Sequence, residues 1–154
     1  MGINMYVPSY DSLLRSLKKS KSELERATDL AIPVGLFKLL LQLAIAYADF
    51  DEERYLAANP DVREAVNRGE IESGRLHYIG FGYFEGRKGG TVSVDESWYL
   101  RKYPDVAGAV RGGRIESAAH HFNSIGAGEG RSPSAEQQDN AAQWKEAIYG
   151  AQQR

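Results

Sequence analysis

The chain carries two sets of residues that could perform acid–base, anion-binding or metal chemistry. Each set has one aspartate, one histidine, one glutamate and one arginine: Asp61, His77, Glu85 and Arg87, then Asp105, His121, Glu129 and Arg131. A metal site needs two or three converging ligands, whereas the adjacent His120 and His121 would point about 100° apart on a helix. We therefore expect no metal site, and we expect each repeated histidine to be half-buried and bonded to a backbone carbonyl.

The repeated charges are better explained by structure than by catalysis. Glu85 and Glu129 could be a glycosidase acid and base, whose carboxylates lie about 5–9 Å apart, but symmetric copies seldom supply an asymmetric pair. We interpret Asp61 with Arg87, and Asp105 with Arg131, as ion pairs that join the second helix of each set to the end of the third. No nucleophile has a credible base and no glycine loop follows a strand. The sequence thus predicts no catalytic residue, no cofactor and no enzymatic activity.

These two sets exist because the middle of the sequence is repeated. Residues 50–90, the first copy, align without a gap on residues 94–134, the second copy, at a constant offset of 44, with 18 identities in 41 pairs. A gap-free repeat of this length is typical of a supersecondary unit that stacks on a copy of itself. Residues present in both copies are therefore expected to build the unit.

Each copy reads as three short helices. In the first, Asp51 caps one helix, Asn59-Pro60-Asp61 ends it and opens the next, and Gly69 stops the second. Ser73 caps the third, and Gly86 is the expected left-handed residue that closes it, as Gly130 is in the second copy. No long stretch alternates with period two, so the predicted class is all-α: two tandem three-helix repeats of about 44 residues packed with an N-terminal helical hairpin and a C-terminal helix.

The flanking segments are also predicted to be helical. In the N-terminal region, 1–49, a helix capped by Asp11 precedes a Leu-rich helix over about 33–48, which could be a buried core helix, an oligomer interface or, less in keeping with its length, a membrane-inserting segment. In the C-terminal helix, 135–154, the face formed by Ala141, Trp144, Ile148 and Ala151 is expected to dock on the repeats or on a partner chain. We expect one compact domain overall, with homo-oligomer contacts possible through helix 33–48 or 135–150.

Charge and composition exclude several classes of function. The net charge is −2 and the chain has no cysteine, which gives no nucleic-acid-binding field, disulfide framework or thiol metal site. Residues 1–5 lack the basic start and apolar run of a conventional signal peptide, and no membrane span is expected. The compartment is left open between the cytoplasm and the cell surface or exterior.

The repeat also carries a recognisable spaced motif. In the first copy it reads Tyr55-Leu56, Asn59-Pro60-Asp61-Val62, Gly69, Ser73, His77-Tyr78, Gly82 and Glu85-Gly86-Arg87. It resembles a short repeat appended to bacterial glycosyltransferases, methyltransferases and large secreted calcium-repeat surface proteins. The second copy departs mildly, with Tyr103 for Asn59 and Phe122 for Tyr78. The resemblance covers residues 50–134 and implies a setting related to the cell surface or to polysaccharide.

Candidate binding residues lie where the copies differ. The first copy has Phe81, Tyr83 and Phe84 where the second has small or aliphatic residues, and Trp98 in the second replaces Arg54. Such aromatics either pack in the core or form a surface suited to sugar stacking or protein anchoring. The sequence thus predicts a binding or scaffold module associated with bacterial surface polysaccharide or its assembly machinery. The alternative is a structural subunit of a larger assembly, including a phage-like particle.

Overall fold

The computed structural model of the chain describes residues 5–90 and 92–150. All regular secondary structure in these residues is helical, which confirms the all-α prediction. By its internal contacts the chain divides into two compact units, residues 1–41 and 42–154. The division lies inside a helix, the end of which bonds within the second unit: Gln42 donates to the carbonyl of Ile79, and Arg75 donates to that of Ala46.

The N-terminal unit contains helix α1 (Tyr10–Ser16), helix α2 (Lys21–Arg26) and the start of helix α3 (Val34–Tyr47). The single helix predicted from Asp11 onward is therefore wrong. Ser9, not Asp11, caps α1, and Lys18 adopts a left-handed conformation with φ 55° that ends it. Ser20 then starts α2 through a capping box with Glu23.

Helix α3 is apolar on most of its surface yet is poorly covered. Only Ile45 is buried, while five large apolar side chains are 48–68% exposed: Val34, Phe37, Leu39, Leu40 and Tyr47. Of the alternatives left open for this helix, the buried core helix does not describe these exposed side chains. Residues 5–33 offer little to cover it, because α1 buries only Leu14 and α2 buries nothing. An interface with another chain stays a prediction.

The second unit contains two sets of helices related by the sequence offset. The first set is α4 (Glu52–Ala58), α5 (Pro60–Asn67) and α6 (Gly74–His77), which widens into a π-helical turn over Tyr78–Gly82. The second is α7 (Glu96–Lys102), α8 (Pro104–Arg111) and α9 (Ala118–His121), with a π-helical turn over Phe122–Gly126. The three helices of each set contact one another.

Local signals place the ends of these helices where the sequence predicts. Asp51 and Ser73 each accept a hydrogen bond from a backbone N–H of the helix that they precede. Pro60 occupies the first turn of α5, where a missing N–H costs nothing. Gly69 and Gly86 follow the second and third helices with φ +72° and +69°, a conformation that favours glycine.

The second copy has a core of its own. Tyr99, Val106, Ala118 and Phe122 are buried together, and the partly buried side chains packed on this cluster also come from residues 94–110. Tyr99 is fully buried, as is its counterpart Tyr55 in the first copy. Burial of large side chains within one copy stabilises the unit without requiring its neighbour.

The last helix, α10 (Gln138–Tyr149), does not bury the apolar face predicted for it. Trp144 and Ile148 are 57% and 53% exposed, and no residue of α10 is buried. The helix instead contacts the end of the second copy: the Tyr149 hydroxyl donates to the Gly128 carbonyl, and Lys145 lies against Gly130. Docking through the predicted face within the chain is therefore wrong. Ala151, the last member of that face, lies outside the described residues.

Within residues 5–90 and 92–150, no helix is both long enough and apolar enough to cross a membrane.

Candidate functional site

The two repeated histidines are each held by a buried tyrosine. The Tyr55 hydroxyl lies 2.9 Å from Nδ1 of His77, and the Tyr99 hydroxyl lies 2.9 Å from Nδ1 of His121. His77 is half-buried and His121 is buried. The predicted backbone carbonyl partner is therefore wrong: the partner is a phenol that the first helix of each copy inserts beneath the third.

Each of these phenols stays protonated in the fold. Burial raises the pKa of both Tyr55 and Tyr99 to about 12, so each hydroxyl keeps its proton at neutral pH. The hydroxyl donates to Nδ1 or accepts from it according to the tautomer of the imidazole. With either direction, the contact fixes the third helix on the first.

A repeated glycine makes room for each phenol. A side chain at Gly82 would collide with the Tyr55 hydroxyl, and one at Gly126 would collide with the Tyr99 hydroxyl. Both glycines end a π-helical turn, in which the wider spiral is closed by bonds such as Tyr83 N–H to the Tyr78 carbonyl. Tyrosine, histidine and glycine thus form one structural contact.

A repeated glutamate, which the sequence reasoning missed, caps the third helix from a distance. Glu52 accepts hydrogen bonds from the backbone N–H groups of Gly74 and Arg75, at 2.6 and 2.9 Å. Glu96 does the same for Ala118 and Ala119, both at 2.9 Å. A carboxylate at a helix N-terminus satisfies free N–H groups and the positive end of the helix. The identity of Glu52 and Glu96 at the repeat offset was the available signal.

The predicted ion pairs are present and include a third member. Arg87 Nη1 donates to both carboxylate oxygens of Asp61, at 2.9 and 2.8 Å, and Arg87 Nε donates to Glu85 at 2.8 Å. In the second copy Arg131 joins Asp105 and Glu129 in the same way. These bonds lower the pKa of Asp61 and lower that of Asp105 to about 2. Both glutamates are therefore occupied by a structural arginine.

In the first copy, aromatic rings connect the core to the surface. Successive ring centroids lie 5.2–6.2 Å apart in the order Phe81, His77, Tyr55, Tyr78, Tyr83 and Phe84. Phe81 is 64% exposed at one end and Tyr83 is 39% exposed near the other, whereas Phe84 is half-buried. We call Phe81, Tyr83 and Phe84 the aromatic cluster. Its counterparts in the second copy are Ile125, Ala127 and Gly128.

Trp98 occupies a different environment from that cluster. It is half-buried, packs on the Tyr99 core and makes an edge contact with Tyr103 at 6.2 Å. Its counterpart, Arg54, instead donates hydrogen bonds to the carbonyls of Gly89 and Gly90 in the turn that ends the first copy. Hydrogen bonds from an arginine in the first copy are therefore replaced by ring packing in the second. Trp98 exposes a smaller fraction of its side chain to a ligand than Phe81 does.

The histidines and carboxylates of these residues do not converge as metal ligands would. No group of three or more histidine, aspartate or glutamate side chains could hold a metal ion in the part of the chain that the structure describes. His120 is exposed and lies 3.5 Å from Glu116. In comparisons with known proteins, no family model, curated protein or solved structure matches this chain.

Proposed function

We propose that this chain is a non-enzymatic binding or scaffold module, associated with bacterial surface polysaccharide or its assembly machinery. The association with surface polysaccharide is inferred from the resemblance of the repeat motif. The non-enzymatic role is inferred from the contacts that the polar side chains make. Most polar residues common to both copies are engaged in building each copy, through the helix caps, the tyrosine–histidine contacts and the Asp–Arg–Glu groups. Recognition is then left to the surfaces that differ.

Within this proposal, residues 51–87 and 95–131 are two copies of one three-helix unit. The offset of 44 between corresponding helix starts supports it, as do the paired contacts Tyr55–His77 and Tyr99–His121. The distant glutamate caps recur as well. Packing of an N-terminal hairpin on these units stays a prediction.

The observation that carries the proposed function is the exposure of the aromatic cluster. Phe81 leaves most of its ring in solvent, although its His77 contact fixes the ring beside a rigid core. A pre-positioned aromatic loses little freedom on binding and can stack on the apolar face of a sugar. The second copy has no ring at the three corresponding positions.

The repeat supplies variants that test this role without disturbing the fold. Phe81→Ile and Tyr83→Ala introduce the residues that the second copy has at these positions, and Ile125→Ala is a control for loss of exposed apolar surface. Binding to capsular polysaccharide would be measured by affinity electrophoresis, with melting followed by circular dichroism. We expect the first two variants to weaken binding about tenfold or more and the control to bind as wild type. Unchanged binding by well-folded Phe81→Ile and Tyr83→Ala would contradict the proposal.

A second candidate is a structural subunit of a larger assembly. The exposed apolar residues of α3, together with Trp144 and Ile148 on α10, favour it, because large apolar surfaces often mark contacts between chains. Sedimentation over a range of concentrations tests this candidate. A stable oligomer that Phe37→Ser dissociates, and that binds no polysaccharide, would favour the assembly subunit over the binding module.

A further inference from the structure

The second copy contains a shallow groove of about 330 Å³ between its second and third helices. Apolar and charged residues line it together: Asp105, Val106, Ala109, Arg114, Ile115 and His121. This volume is at the small end of the range for ligand sites, about 300–1,000 Å³, and the groove is open to solvent.

Comparison of the copies isolates one position in this groove. Five of the six lining residues are identical at the corresponding positions of the first copy, and the exception is Arg114, which replaces Glu70. The framework of the groove is therefore repeated, whereas the charge at its edge is reversed. A position whose charge differs between the copies, while the residues around it are identical, is a candidate for determining which ligand binds.

The neighbouring side chains also determine whether the charge at this position is already paired within the protein. In the first copy Glu70 accepts two hydrogen bonds from Arg68, at 2.8 and 3.2 Å, and Arg68 also pairs with Glu64. In the second copy the residues equivalent to Arg68 and Glu64 are Gly112 and Gly108, which have no side chain. Among the residues that the structure describes, none forms an ion pair or a hydrogen bond with the exposed Arg114 side chain.

The other polar groups of the groove are already neutralised or oriented. Both carboxylate oxygens of Asp105 accept hydrogen bonds from Arg131, at 3.0 and 2.7 Å. Nδ1 of His121 is taken by Tyr99, so Nε2 is the ring nitrogen left for a ligand. The groove thus combines a free cation and one ring nitrogen with the partly exposed apolar side chain of Ile115.

We propose that this groove binds an acidic sugar residue, with its carboxylate on Arg114 and its ring over the half-buried Ile115. This inference rests on the proposed association with polysaccharide and adds a ligand class to it. An arginine guanidinium matches a carboxylate with two parallel hydrogen bonds, and a pyranose ring has an apolar face that suits an aliphatic side chain. The corresponding surface of the first copy, with Glu70 paired to Arg68, disfavours the same ligand.

The test is a titration of isotope-labelled protein with glucuronate, followed by amide chemical shifts. We expect saturable shifts at Arg114, Ile115 and His121, with glucose and inorganic phosphate each binding at least about tenfold more weakly. Arg114→Glu copies the charge of the first repeat and Arg114→Gln removes the charge alone, and both are expected to lose binding by about tenfold or more. Glu70→Gln, at the equivalent position, is the control and should bind as wild type.

Several outcomes would overturn the inference. Equal binding of glucose, equal binding of phosphate, or undiminished glucuronate binding in folded Arg114→Gln would each do so. If Arg114→Glu fails to fold, the Gln variant alone decides. A parallel titration with Phe81→Ile separates the two proposals: polysaccharide binding that depends on Phe81, without glucuronate binding at Arg114, overturns only this one. Glucuronate binding at Arg114 in a chain that binds no surface polysaccharide overturns only the proposed function.

Discussion

The hydroxyl of Tyr99 lies 2.9 Å from Nδ1 of His121, and it occupies the space that a side chain at position 126 would need. One buried phenol therefore explains why a tyrosine, a histidine and a glycine recur together at the repeat offset. The glycine is required for space, since the hydroxyl that bonds to the histidine lies where a Cβ at this position would be. The same relation holds for Tyr55, His77 and Gly82.

The first prediction concerns this contact. Gly126→Ala should lower the free energy of unfolding by about 1–3 kcal/mol, because the new methyl group forces the Tyr99 ring to move. In a Tyr99→Phe background, which lacks the hydroxyl, the same alanine should cost less. Urea unfolding followed by circular dichroism measures both values.

The control for that substitution is Gly108→Ala. Position 108 lies inside α8 and a methyl group there would meet nothing within 4 Å. Because alanine favours helix over glycine, this variant should be neutral or more stable by up to about 1 kcal/mol. An equal cost of Gly126→Ala in the tyrosine and phenylalanine backgrounds would refute the steric explanation.

The second prediction concerns alkaline pH. Burial raises the pKa of Tyr55 and Tyr99 to about 12, so their contribution to stability is complete below the unfolded pKa of about 10 and is lost as the pH rises through about 12. Ultraviolet absorbance of phenolate should show a component that titrates near pH 12. The double variant Tyr55→Phe/Tyr99→Phe should lack it, and persistence of this component in the variant would assign it to other tyrosines.

The sequence predicted those features that depend on neighbouring residues. The break at Asn59-Pro60, the serine cap at Ser73 and the glycine ends of the helices follow from backbone preferences that act over a few residues. The Asp–Arg pairs were also inferred, because opposite charges recurred at matching positions. Such signals act over a few neighbouring residues or occur at the same position in both copies. They can therefore be recognised in a single sequence.

Features that depend on three-dimensional packing were missed. Glu96 bonds to Ala118 and Ala119, which follow it by 22 and 23 residues. Tyr99 bonds to His121, which follows it by 22 residues. No pattern of neighbouring residues predicts either contact. The amphipathic pattern of α10 was read correctly as a helix, but periodicity does not say what will cover the apolar face. Trp144 and Ile148 consequently remain exposed where docking was expected.

The third prediction concerns the distant cap. Glu96→Ala should destabilise the protein by about 1–2 kcal/mol, because it leaves the N–H groups of Ala118 and Ala119 without an acceptor. Glu116→Ala is the matched control, since Glu116 is exposed and contacts only His120 among the charged groups described. We expect the control to change stability by no more than about 0.5 kcal/mol in thermal or urea unfolding. Equal effects of the two substitutions would remove the capping role.

The fourth prediction concerns acid. Hydrogen bonds from Arg131 lower the pKa of Asp105 to about 2, from an ordinary value of 3.8. A lowered carboxyl pKa means that the pair stabilises the fold above about pH 4 and that this contribution is lost as the pH falls toward 2. Because the Asp105 side chain is 62% exposed, we expect the contribution to be below about 1 kcal/mol. Urea unfolding should show a smaller loss of stability between about pH 4 and pH 2 for Asp105→Asn than for wild type; an equal loss would contradict the assignment.

The central claim is that the residues common to both copies build the module and that recognition lies where the copies differ. Two double variants separate these roles. In one, Phe81→Ile and Tyr83→Ala convert the aromatic cluster of the first copy to the residues of the second. In the other, Glu70→Gln and Ile125→Ala change exposed positions outside that cluster.

The decisive measurement is the affinity of both double variants for purified capsular polysaccharide, determined by isothermal titration calorimetry. Melting temperatures are recorded on the same samples. We predict that the first variant binds about tenfold or more weakly than wild type while it melts at nearly the same temperature, and that the second binds normally. Wild-type affinity in the first variant, with its fold intact, would contradict the claim that the aromatic cluster is the recognition surface.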